Sequence, residues 1–308
     1  MEKRVVIIVG PTCSGKTILG IKLAGLLDTE IISADSRQFY KKLNIGTAKP
    51  SEEELLKVKH HFIDTLNPDD EYNVSIYSEE AEKIIDDLLE REKIPIIVGG
   101  SGLYIKTLVD GIVETADKDD EYRTKLLEIK SNEGIKKLYE ILQQVDPESA
   151  SKMLPQNWKR VMRALEVFHT TGQPIWQHHQ KQTLLKEKKY LFRQFGLNWQ
   201  RELLYSNIDK RVDEMINNGL VEEVKKLLDE GYADNLNSLN TVGYKEIISF
   251  LKNEITMDRA IELIKRNTRR YAKRQLTWFR KDERINWLNI NSSVDLHSAV
   301  DKIVQMIN

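Results

Sequence analysis

One short segment constrains this chain more than any other: Gly10-Pro-Thr-Cys-Ser-Gly-Lys-Thr17. It fits the pattern G-x-x-x-x-G-K-[ST] in full and lies between an apolar run, residues 5–9, and a helical pattern over 16–27. The run is β-branched throughout, the pattern of a strand buried on both faces. Glycines let backbone N–H groups curl around a phosphate chain, and the helix that follows adds a favourable field. Lys16 supplies a point charge, and the Thr17 hydroxyl can ligate magnesium. Gly10, Pro11, Thr12, Cys13, Ser14, Gly15, Lys16 and Thr17 are therefore candidate phosphate-binding residues. The loop recognises phosphates rather than a nucleotide, so any diphosphate could occupy it.

The rest of the pattern must accommodate that strand–loop–helix unit. Residues 30–33 and 94–98 read as further strands, with a charged amphipathic helix over 78–91 between them. Strands alternating with helices imply a parallel, doubly wound sheet whose ligands sit at the carboxyl ends of the strands. Around residues 114–121 the character changes, with five acids against Lys118 forming a solvated junction. From 122 to about 189 the pattern is almost wholly helical; 190–198 and 285–290 read as two more strands, separated by helices. The expectation is an α/β fold: a P-loop NTPase-like doubly wound parallel sheet with an inserted helical domain. The core spans 1–114 and 190–308 with its C-terminal helices, and the insertion spans 115–189.

Composition excludes several classes. The 308 residues are 40% hydrophobic and 31% charged, which rules out a disordered or collagen-like chain and one embedded in a membrane. No apolar run approaches the roughly 18 residues of a membrane helix. The five apolar residues after Arg4 are too few for a signal peptide, and Cys13 is the only cysteine. A cytoplasmic protein is expected.

The companion features narrow the chemistry. The strand at 94–98 runs into Gly99-Gly100, where many nucleotide hydrolases carry a magnesium-holding aspartate; this argues against a motor-type ATPase. Asp35, in Ser33-Ala-Asp-Ser-Arg-Gln38, follows the second strand and reaches the same sheet edge. It reads equally as a proton acceptor or magnesium holder and as a turn or helix cap. Ser101 converges on that edge too, although on its own it reads first as the cap of the next helix. Cys13 reads as a small residue between glycines rather than as a thiol activated by the helix N-terminus. The pairs His60-His61 and His178-His179 lack partners at ligand spacing and do not read as a zinc site.

Residues 259–284 hold ten Lys/Arg against three acids, with Tyr271, Trp278 and Phe279 interleaved, while the whole chain has a net charge of −1. Such segregation suits a phosphate-rich partner as well as a solvated helix face. Lys159, Arg160 and Arg163 add a second basic patch, the two arginines on one helical face.

Beyond these motifs, the chain resembles the bacterial tRNA dimethylallyltransferases over nearly its whole length. The resemblance rests on ordered blocks: Gly10–Thr17, SADSRQFY at 33–40, NIGTAKP at 44–50, HHFID at 60–64 and VGGSGLY at 98–104. KRVMRALEV at 159–167, VGYKE at 242–246 and the stretch 268–280 complete the set. The phosphate loop alone is common to many families, whereas the ordered set is specific. It implies transfer of the dimethylallyl group from dimethylallyl diphosphate to the exocyclic amine of the adenosine immediately 3′ of the tRNA anticodon. Diphosphate would then occupy Gly10–Thr17 with magnesium on Thr17. Asp35 would accept the amine proton, and Ser101 and Arg123 would lie at the reacting centre. Asp35, Ser36, Arg37 and Gln38 would read the extruded adenine and its neighbours. Lys159, Arg160, Val161, Met162 and Arg163, with Asn240, Thr241, Val242, Gly243, Tyr244 and Lys245, would contact the anticodon stem-loop, and the insertion would clamp it. Residues 268–280 would offer charge to the RNA backbone. A monomer is implied. Cys13, Arg37 and Asn44 depart from the family's frequent alanine, methionine and aspartate. Two other readings remain open: an ATP-dependent small-molecule kinase and a non-catalytic RNA-binding protein.

Overall fold

The computed structural model describes residues 2–111, 119–178 and 189–307. The chain divides into two compact units, residues 1–109 with 188–308, and residues 110–187. In the first unit, β1 (Arg4–Val9) is followed by β2 (Ile31–Ala34), β3 (His60–His61), β4 (Ile96–Gly99), β5 (Leu191–Trp199) and β6 (Ile285–Ile290). These form one sheet in the order β3-β2-β4-β1-β5-β6, and every pairing is parallel.

The helices of this unit are α1 (Lys16–Leu26), α2 (Glu52–Lys57), α3 (Val74–Glu90) and α4 (Gly102–Asp110). The second unit contains α5 (Asp120–Glu133), α6 (Ile135–Val145), α7 (Pro147–Ser151) and α8 (Trp158–Thr171). The first unit resumes with α9 (Arg201–Asn217), α10 (Leu220–Asp229), α11 (Tyr244–Leu251), α12 (Met257–Phe279) and α13 (Ser293–Ile307).

The uninterrupted apolar run explains why β1 is central. Val5, Val6, Ile7, Ile8 and Val9 are all fully buried. Val6 and Ile8 join Leu19 and Leu23 of α1 and Ile303 of α13 on one face. Val5, Ile7 and Val9 join Tyr77, Ala81 and Ile85 of α3 on the other. At about 1.5–3 kcal/mol for each large aliphatic side chain removed from water, β1 is worth of order 10 kcal/mol of gross burial. An edge position would forfeit much of that.

Five strands were legible in the sequence; β3 was not, because two residues carry no periodicity. Its pairing with Ile31 and Ile32 adds the sixth strand. Helix α3 starts earlier than the expected residue 78, because the Asn73 side chain accepts from the Ser75 and Ile76 amides and caps it there.

The second unit has its own core, in which Leu138 and Leu142 of α6 meet Val161, Met162 and Leu165 of α8. Of the expected acidic junction at 114–121, residues 114–118 lie outside the described residues, as do 179–188 at the expected end of the insertion. Among the described residues no helix is long and apolar enough to cross a membrane.

Candidate active site

The carboxyl end of β1 delivers the phosphate loop. Gly15 caps α1 with φ +84°, a left-handed conformation that a side chain resists. A Cβ there would also lie 2.7 Å from a Leu296 methyl carbon of α13, so glycine is required twice over. The loop is held from behind. The Trp199 indole N–H donates to the Ser14 carbonyl at 2.9 Å. Gln275 of α12 accepts from the Thr12 amide at 2.9 Å and donates to the Gly100 carbonyl at 2.9 Å. Gln275 thus clasps the loops that follow β1 and β4, and a Cβ on Gly100 would stand 2.3 Å from its amide nitrogen.

Lys16 folds back so that its ammonium donates to the Pro11 carbonyl at 2.6 Å. Burial lowers its pKa to about 8, against the opposing pull of the Asp35 carboxylate. A cation held this way is short of counter-charge, which a phosphate would supply.

Asp35 lies beyond the end of β2 and lines the same cleft as Lys16. Burial pushes its carboxyl above the ordinary range, while the Arg37 amide, donating to Oδ1 at 3.0 Å, and the charges of Lys16 and Arg37 oppose the shift. A carboxylate raised by burial is a better proton acceptor than one in water. Ser101 joins the loops after β2 and β4: its Oγ accepts from the Ser36 amide at 3.0 Å and donates to Ser36 Oγ at 3.3 Å.

Lys16 and Asp35 share one cleft of about 940 Å³, lined by Thr12–Thr17 and Asp35–Gln38, whereas Gly10, Pro11 and Ser101 stand behind its lining. Gln38 donates to the Thr47 and Ala48 carbonyls, and the Arg37 guanidinium donates to the Asn237 carbonyl at 2.7 Å. Asn240, Thr241, Val242, Gly243 and Lys245 line the same cleft. Tyr244 does not: it is fully buried, and its hydroxyl donates to Glu223 at 2.6 Å. Its ring packs under Gly46, so its side chain is core and offers RNA no surface.

Arg211 carried no site signal in the sequence, whereas Thr268, Tyr271 and Arg274 belong to the stretch 268–280 expected to offer charge to RNA. Arg211 of α9 and Thr268, Tyr271 and Arg274 of α12 all line the cleft. The charge of Arg211 contributes to lowering the Lys16 pKa. Part of the basic stretch 259–284 therefore faces the phosphate loop. Other members are paired locally, Lys265 with Asp213 and Arg269 with Asp209.

In the second unit, Arg123 pairs with Glu166 at 3.0 Å and Arg163 pairs with the same carboxylate at 3.4 Å. Glu166 is buried, so it fixes both guanidinium groups while Lys159 and Arg160 stay exposed. Val161 and Met162 were expected at an RNA surface, yet both are core, turned inward by the same helical period that turns Lys159 and Arg160 outward.

Among the described residues no three His, Cys, Asp or Glu side chains form a metal-binding group; His179 lies outside them.

Known proteins match this arrangement over its full length. The family model described as IPP transferase matches residues 38–282. The tRNA dimethylallyltransferase of Carboxydothermus hydrogenoformans is 44% identical over 305 residues, 99% of this chain and 97% of the relative. That of Acetivibrio thermocellus is 46% identical over 287 residues, 92% of this chain and 91% of the relative. The crystal structure of the tRNA isopentenylpyrophosphate transferase of Bacillus halodurans superposes with a TM-score of 0.73 at 35% identity, covering 99% of this chain and 96% of that one. A eukaryotic dimethylallyltransferase captured acting on tRNA gives 0.82 at 28% identity, over 98% of this chain and 78% of that one. With a family model spanning most of the chain and relatives this similar from end to end, the chain belongs to the IPP transferase family, alongside the tRNA dimethylallyltransferases.

Proposed function

We propose that this chain transfers the dimethylallyl group of dimethylallyl diphosphate to the N6 amine of the adenosine immediately 3′ of a tRNA anticodon. The observation that carries the reading is the juxtaposition of a phosphate loop and a carboxyl of raised pKa in one cleft. In the reaction the bond from the allylic carbon to the diphosphate oxygen breaks, and that carbon bonds to N6. Asp35 takes the proton that N6 sheds. Lys16, Arg211 and the loop amides hold the departing diphosphate, whose negative charge grows as the bond breaks. Ser101, bonded to Ser36, sets the loop that carries Asp35.

A magnesium ion fits this donor set, since Mg²⁺ is commonly held by one or two protein oxygens together with substrate phosphates and water. The Thr17 hydroxyl would be its protein ligand, and the ion would add positive charge beside the leaving group. The target base must leave its stack to reach Asp35, at a cost of a few kcal/mol that is least in a loop. Asp35–Gln38 and Asn240–Lys245 then meet its surroundings. Lys159, Arg160 and Arg163 hold the anticodon stem-loop through the second unit, and Arg123 helps bind the diphosphate or the RNA backbone. The chain works in the cytoplasm, as a monomer.

The test is incubation with unmodified tRNA, dimethylallyl diphosphate and magnesium, followed by mass analysis of the nucleosides. A prenylated adenosine formed without ATP, and lost in Lys16→Ala, is the expected result. Unchanged adenosine from folded, tRNA-binding protein would overturn the reading.

A further inference from the structure

The cleft beside Asp35 is lined mainly by polar, charged and aliphatic groups. Among its described lining residues, Tyr271 contributes the only phenol, phenyl or indole ring. It is 36% exposed and turned to the cleft that it lines. The side chain is also well placed relative to the chemistry, because the charges of Asp35, Arg37 and Arg274 all act on its hydroxyl. The Arg274 guanidinium lies 5.7 Å from the ring centroid.

Its backbone is fixed. Tyr271 stands one helical turn before Gln275, the residue that bonds the loops after β1 and β4. Ala272, beside it, is fully buried. That turn of α12 is therefore tied to the phosphate loop, and the ring is presented from a rigid helix rather than from a loop. Rigid presentation suits a group that must orient a substrate.

An extruded purine loses its neighbours in the stack and regains that contact only on another flat face. We propose that Tyr271 is the face on which the extruded adenine stacks, holding the ring so that its N6 amine meets Asp35. This rests on the reading given under Proposed function. It assigns a substrate contact to a residue of the basic helix that would otherwise serve the RNA backbone.

The test compares wild type, Tyr271→Phe and Tyr271→Ala. The probes are two anticodon stem-loop RNAs, one with adenosine and one with an abasic site at the target position. Base–aromatic stacking is worth about 1–3 kcal/mol, roughly 5- to 150-fold. Tyr271→Ala should therefore weaken the adenosine RNA at least about fivefold more than the abasic RNA, which isolates the base contact. Tyr271→Phe keeps the ring and should bind and turn over within about threefold of wild type, a margin below the stacking range. KM for dimethylallyl diphosphate should stay within twofold in both. Equal weakening of the two RNAs would overturn the assignment, as would a loss confined to the donor KM, which would place the ring against the prenyl group. Damage by Tyr271→Phe as large as that by Tyr271→Ala would overturn it too. Wild-type protein that binds RNA but forms no prenylated adenosine would instead overturn the underlying reaction.

Discussion

Glu30 and Asp35 flank the same four-residue strand, β2, and their surroundings differ in kind. At the amino end, burial pushes the Glu30 carboxyl up. Hydrogen bonds from Arg91 at 2.8 Å, His61 at 2.6 Å and Lys59 at 3.1 Å outweigh that and leave its pKa at about 2. At the carboxyl end Asp35 has the backbone amides of Arg37 and Gln38 and the charges of Lys16 and Arg37, and burial prevails. A carboxylate fully satisfied by its own protein has no remaining task. One left short of partners, facing a cleft, has capacity for a substrate proton. The comparison separates structural from reactive acids by their partners, since the two flank one strand.

The largest expected effect breaks the comparison at its reactive end. Asp35→Asn should lower turnover by about 10²- to 10⁴-fold, the usual worth of a general base, with RNA affinity within twofold. Glu30→Gln should leave turnover within that same twofold margin. Prenyl-transfer rates and RNA binding measured side by side decide the matter.

Lys16→Met should come next, raising KM for the diphosphate donor by about tenfold or more, as expected for a lost charge-assisted contact. It should also make the empty protein more stable at pH 7. The sign follows from the folded pKa of about 8 lying below the ordinary lysine value of 10.5. The folded state binds that proton less tightly than the unfolded one, so stability rises as pH climbs from 8 to 10.5. The variant should lack this rise in melts taken across that range.

Glu30→Gln should cost about 2 kcal/mol, the scale of hydrogen bonds to a charged group. Its carboxyl is depressed, so the wild-type advantage is present above the unfolded value of 4.5 and is lost as pH falls towards 2. Thermal melts of both proteins at neutral and acid pH check this.

The smallest effect sharpens the comparison. The charge of Arg37 helps hold Asp35 down, so Arg37→Ala should move the acid limb of kcat/KM upward. An unmoved limb would remove Arg37 from the control of that carboxyl.

The phosphate loop and the central strand could be read from residues 5–17, because a fully buried β-branched run and a glycine-lysine motif carry their physics locally. Asp35 and Ser101 were reachable because a parallel sheet brings its strand ends to one edge. Arg211 was not. Helix α9 carries many charges, and nothing in its spacing separates the one that faces the cleft from those that face water. Gln275 gave no signal either, since an amide becomes informative only when both its partners are known. Tyr244, Val161 and Met162 show the opposite failure. A contiguous block can carry family identity while its members alternate between cleft and core, and only the period of the chain in three dimensions assigns each one.

The parallel register of β1 also has a consequence for how the protein comes into being. Its two neighbours are β4 and β5, and β5 ends only at Trp199, while the clasp on the phosphate loop comes from Gln275. During synthesis the first motif to leave the ribosome is therefore among the last to be completed. It waits for partners far along the chain, and pairings of such long sequence separation form slowly. A nascent chain stopped before α12 would display every residue of the glycine-rich signature and still lack the Gln275 side chain that clasps it.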